Sequence, residues 1–163
     1  MSIFVKATPA PTPKTTNIRS IALLYGLILM VFALTQLVTF QDFILIIDSY
    51  WLPLDRQLTA LYAALIVTLE LLAVPFLLRF KLSPAMRLLS MVAGWIIAAF
   101  WICMSVWLVL TDNAVSSIGF LGGLITIMPG LGTVLVATAM GILAAWASWG
   151  MWPFAGHSTK TKK

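Results

Sequence analysis

Four long apolar runs, set apart by short polar breaks, organise this chain. The first follows Arg19 and spans about residues 20–40. The second covers about 58–78, the third about 88–110 and the fourth about 131–152. Each is long enough to cross a hydrocarbon core of about 30 Å as a helix. The first run exceeds the about 7–15 apolar residues of a secretory signal, and no small-residue cleavage site follows it, so it reads as a span. Between the first two runs, Phe40, Phe43, Ile44, Ile47 and Trp51 recur at helical spacing while Asp42 and Asp48 interrupt them. That period predicts a short amphipathic helix over about 41–52, lying in the membrane interface and stopped by Pro53. A connecting loop with apolar residues is the alternative.

From Val115 to Trp152 the chain is almost wholly apolar, too long for one simple span. Gly119, Gly122, Gly123, Pro129, Gly130 and Gly132 crowd its first half. Gly and Pro punctuate helices, so residues 116–130 read as a buried loop or a shallow re-entrant piece before the fourth span. Residues 1–18, rich in Pro and Thr, read as a disordered tail, and residues 153–163 as a basic tail.

Composition places these runs in lipid. Of 163 residues, 61% are hydrophobic and only 9% charged, against about 25% charged in soluble domains. So few charges cannot coat a globule in water. Seven tryptophans and three tyrosines suit the water–lipid boundary, and Trp146, Trp149, Trp152 and Phe154 read as an aromatic belt at the end of the fourth span.

Charge then orients the runs. Lys6, Lys14 and Arg19 precede the first span. Arg79, Lys81 and Arg87 follow the second. Lys160, Lys162 and Lys163 follow the fourth. Arg56 stands alone between the first two spans, beside Asp42, Asp48 and Asp55, and Asp112 lies after the third. Lys and Arg favour the cytoplasmic side. The alternation predicts an all-α integral membrane four-helix bundle, multi-pass in the cell inner (plasma) membrane. Both termini are cytoplasmic and the interfacial helix extracytoplasmic. The net charge of +5 is thus a topology signal rather than a groove for nucleic acid.

Candidate chemistry is sparse. Cys103 and His157 are single residues of their kinds, which excludes an intrachain disulfide, a CxxC pair and a His/Cys metal site within one chain. Cys103 reads as a small core hydrophobe. No phosphate-binding Gly-rich loop is present.

Glu70 is the one glutamate, and it sits inside the second span. An acid at a helix centre costs about 2.5–3.5 kcal/mol on insertion scales, so it faces a bundle interior with a partner. Tyr62 lies two turns away on its face. On the first span Tyr25 and Gln36 share a stripe with Thr35 beside it, and Gln36 or Thr35 could hydrogen-bond Glu70. Two readings stay open: a proton-carrying or quinone-contacting residue, or a polar tie between helices. Small residues at Gly94 and Ala98, and at Ala137, Gly141 and Ala145, allow close helix approach. They serve either bundle packing or a partner interface.

From Arg19 and Gly26, through Thr35-Gln36-Leu37, Phe43 and Tyr50-Trp51-Leu52-Pro53, to Ala63, Glu70 and the basic turn Arg79 to Arg87, the pattern resembles the DoxX-like superfamily. Within it, the chain looks like the MauE-type membrane proteins. The resemblance covers roughly residues 19–150, in pattern more than identity. It implies a four-span bundle with a glutamate in the second helix, linked to quinone chemistry or to maturation of redox enzymes. The lysine often found near Gln36 in that group is absent. Ser117 to Gly123 replaces its Cys-Gly-Cys stretch, so thiol transfer does not carry over. The expected function is a non-catalytic accessory or maturation factor that docks partners in the membrane. The expected partners are the lipid bilayer and a membrane protein or second copy. A quinone-interacting oxidoreductase subunit, with quinone as cofactor, and a small oligomeric transporter or channel are the alternatives.

Overall fold

A computed structural model describes residues 13, 15–50, 56–111 and 115–151. Outside them fall Trp51, Pro53, Asp55, Asp112 and Asn113, the aromatic pair Trp152 and Phe154, His157, and the tail lysines. The described chain forms five helices: α1 Thr16–Val38, α2 Phe40–Asp48, α3 Arg56–Leu77, α4 Pro84–Leu110 and α5 Leu131–Gly150. Among the described residues, α1, α3, α4 and α5 are long and apolar enough to cross a membrane. At about 1.5 Å per residue they span about 30–40 Å. The protein is an all-α, four-helix membrane bundle.

Capping chemistry sets where two helices begin. The Thr15 side chain accepts from the Ile18 amide at 3.4 Å, so α1 starts at Thr16, inside the stretch read as tail. Ser83 accepts from the Met86 amide at 3.3 Å and Pro84 takes the first helical position, so α4 starts before residue 88. α2 follows α1 after the single residue Thr39. It has nine residues, too few to span, and it buries Phe43 and Ile47 one turn apart. Its neighbour Tyr50 is fully buried as well.

α1 packs against α3 and α5, and α4 packs against the same two. The helices therefore form a closed square. Ala22, Ala33, Ala63, Ala73, Ala98, Ala137, Ala144 and Ala147 are buried along its axis, where small side chains let helices approach. The outer faces carry exposed Leu27, Leu34, Leu61, Leu65, Ile96, Leu135 and Ile142. Such a surface would aggregate in water and is satisfied in lipid. Gly150 abuts Ile18, which places the end of α5 beside the start of α1. α2 and the 115–130 segment share the other end.

Pro75 sits within α3. Near it, the Ser90 hydroxyl of α4 accepts from the Phe76 amide at 3.0 Å and donates to the Leu72 carbonyl at 2.6 Å. A neighbouring helix thus satisfies backbone groups beside the proline, as membrane helices require. The small residues also resolve inward. Gly94 and Ala98 are buried, Ala137 is buried, and Gly141 faces Ile102 of α4. Ala145 is half-buried. Cys103 corrects its sequence reading: it is exposed, because it lies about 200° around α4 from buried Trp101.

Candidate functional site

The site is built at the α2 end of the bundle interior, from one side chain on each of three helices and one loop. Glu70 on α3, Gln36 on α1 and Trp101 on α4 are all fully buried. Glu70 Oε1 accepts from Trp101 Nε1 at 3.0 Å and from Gln36 Nε2 at 3.4 Å. The same Gln36 nitrogen donates to the Phe120 carbonyl at 3.1 Å. One carboxylate oxygen therefore joins α1, α3 and α4, and Gln36 extends the network to the loop. Both contacts of Gln36 Nε2 are to acceptors, which fixes the amide orientation. Glu70 Oε2 and Gln36 Oε1 are buried without a hydrogen-bond partner.

The 115–130 segment forms no helix and folds back onto the bundle. Val115, Ser117, Ile118, Phe120 and Gly122 are buried. Ser117 Oγ accepts from the amides of Gly119 at 3.2 Å and Ile127 at 3.3 Å, and the Ile118 amide donates to the Ile127 carbonyl at 2.9 Å. These bonds close the segment on itself. Three more fix it to the helices. Gln36 holds Phe120, Thr39 Oγ1 accepts from the Gly123 amide at 2.8 Å, and the Tyr50 hydroxyl donates to the Ile118 carbonyl.

Glycine is needed at the closest approach. Gly122 has φ +58, and an added Cβ there would overlap Thr39 Oγ1 and lie 3.0 Å from the Gln36 Cα. This is the physical use of a glycine that sequence punctuation alone shows only as a break.

Phe120 plugs the site. Its ring stacks on Phe32 with centroids 5.4 Å apart and meets Trp101 edge-on at 4.8 Å. Its other side lines a cleft of about 400 Å³ between α1, the segment and α5, bounded also by Ile127, Gly132 and Val136. The cleft walls are mostly apolar, with Thr133 among them. Thr133 Oγ1 is engaged with Gly130 in the first turn of α5.

The other candidates divide. Tyr25 is buried, but its hydroxyl donates to the Gly94 carbonyl at 2.7 Å and so ties α1 to α4. Thr35 turns its hydroxyl back to the Val31 and Phe32 carbonyls of its own helix, both at 2.9 Å. Tyr62 is half-buried, and its ring meets Phe100 edge-on at 5.8 Å. Phe100 in turn lies 4.9 Å from Trp101, so Tyr62 reaches the cluster only through aromatic packing.

Trp101 and Phe120 are the members that sequence reasoning did not assign. Among the described residues no group of three His, Cys, Asp or Glu side chains is placed to hold a metal. No family model, curated protein or solved structure matches this chain.

Proposed function

We propose that this multi-pass membrane protein is a non-catalytic accessory or maturation factor of redox enzymes, of the DoxX-like and MauE-type kind, which docks a membrane partner. Its termini then face the cytoplasm of a cell inner membrane, and α2 with the 115–130 segment faces the opposite side. The observation that supports this reading is the state of Glu70. The one acid inside a span is wholly buried, and its bonded oxygen is spent on joining three helices. Interhelical bonds of this type commonly organise membrane bundles. The chemistry left for the outer surface is apolar contact, which suits docking. Recovery of the protein from native membranes in mild detergent tests the reading. A stoichiometric membrane partner or a homo-oligomer is expected, retained in Glu70→Gln. A monomer that brings down nothing overturns it.

A second reading has its own observation. The cleft beside Phe120 has the volume and apolar lining to take a quinone ring or its isoprenoid tail. Phe32, Phe120 and Val136 would hold it. Bound quinone would supply two-electron redox chemistry, for which the host enzyme provides the electrons. Saturable quenching of tryptophan fluorescence by decylubiquinone, weakened in Phe120→Ala, is the outcome this reading requires.

A further inference from the structure

At the opposite end of the bundle, α3 ends in an arrangement that its sequence would not choose for stability alone. The Phe80 amide donates to the Pro75 carbonyl at 3.0 Å and the Arg79 amide to the Phe76 carbonyl at 3.1 Å. These two bonds define the helix-terminating motif in which the penultimate residue is left-handed and usually glycine. Here that residue is Arg79, with φ 60. A non-glycine residue in this region carries strain and persists where something else requires its side chain. The Arg79 side chain is half-buried, and its Nε has no hydrogen-bond partner.

The surroundings are uniformly basic. Lys81 is exposed two residues on. Arg87 is buried in the first turn of α4 and donates to the Leu82 carbonyl at 3.4 Å, bracing the turn. No acidic residue occurs between Glu70 and Asp112, and the described carboxylates Asp42 and Asp48 belong to α2 at the far end. Phe80, between the two basic residues, is largely exposed, as suits a ring in the lipid interface. A half-buried arginine two residues from an exposed lysine fits a phosphate, whose oxygens accept charge-assisted bonds from both.

We propose that the Arg79–Ser83 turn binds the phosphate of an anionic phospholipid headgroup, with Arg79 and Lys81 as its ligands. The turn lies where two spans leave the hydrocarbon, at the depth of lipid headgroups. Basic residues there each contribute about fivefold in affinity for anionic lipid.

The full chain, purified in detergent, is examined by native mass spectrometry with phosphatidylglycerol, phosphatidylcholine or inorganic phosphate added. Wild type is expected to retain phosphatidylglycerol over phosphatidylcholine. Arg79→Gly removes the guanidinium but relaxes the left-handed backbone. It should lower that retention about fivefold or more while melting no lower than wild type. Lys81→Gln, at an exposed position, reads the same loss without touching the helix end. Equal retention of the two lipids, or phosphatidylglycerol binding unchanged in both variants, overturns the proposal. Displacement of the lipid by inorganic phosphate at comparable concentration also overturns it, since the ligand would then be the free anion.

Discussion

Trp101 Nε1 lies 3.0 Å from Glu70 Oε1, and this bond links α4 to α3 inside the bundle. A hydrogen bond to a carboxyl oxygen in a buried interior holds two helices in one rotational setting. Without it, the indole N–H and the Glu70 oxygen would both lack their principal partner.

Trp101→Phe keeps an aromatic ring beside Phe120 and Phe100 and removes the N–H donor with part of the ring volume. It should lower stability by about 2–4 kcal/mol, the lost hydrogen bond to a carboxyl oxygen together with the cavity left behind. Glu70→Gln keeps an oxygen at the same reach and should cost less than Trp101→Phe. Glu70→Ala removes both the volume and the acceptor and should cost more than either. Thermal melting in a mild detergent ranks the three.

The 115–130 segment is docked by close approach, and two glycines separate that claim from general sensitivity. At Gly122 a Cβ has no room and the backbone is left-handed. At Gly130 nothing lies within 4 Å of an added Cβ. Gly122→Ala should therefore destabilise by more than about 1 kcal/mol, and Gly130→Ala should cost less, through the α5 N-cap alone. Equal effects would show that the segment does not sit on α1 as described.

The Tyr50 phenol donates to the Ile118 carbonyl, and burial pushes its pKa up from 10.0. The folded value lies above the unfolded one, so the stabilising contribution is complete below the unfolded pKa and declines as pH rises past about 10. Wild type should lose stability in that range relative to Tyr50→Phe, which has no proton to lose. The difference between the two melting curves, measured from pH 8 to 11, isolates this phenol from other alkaline effects. A gap that does not narrow with pH would remove Tyr50 from the role.

The membrane bundle was legible because lipid makes length and hydropathy almost sufficient to define a helix. The site was legible only in part. An acid alone in a span demands a polar partner, and Gln36 is the long polar side chain on the inward stripe of α1. Thr35 was an equal candidate in sequence, but a helical threonine bonds its own preceding turn, as it does here. Trp95, Trp101 and Trp107 look alike in sequence. Only the rotation of α4, set by packing, turns Trp101 inward and leaves Trp95 and Trp107 exposed. Phe120 lies in a stretch with no period, where side-chain direction depends on turns at Gly119 and Gly122, so no pattern announced it.

Glu70 is an enclosed helix tie beneath Phe120, a placement closed to lipid and solvent. Its most direct test is labelling with dicyclohexylcarbodiimide, an apolar reagent for carboxyl groups in membranes, at mildly acidic pH and read by peptide mass. Glu70 is expected to stay unmodified in the folded protein in bilayers and to be modified once the chain is unfolded in strong detergent. Modification of Glu70 in the folded protein at the rate seen after unfolding would contradict it.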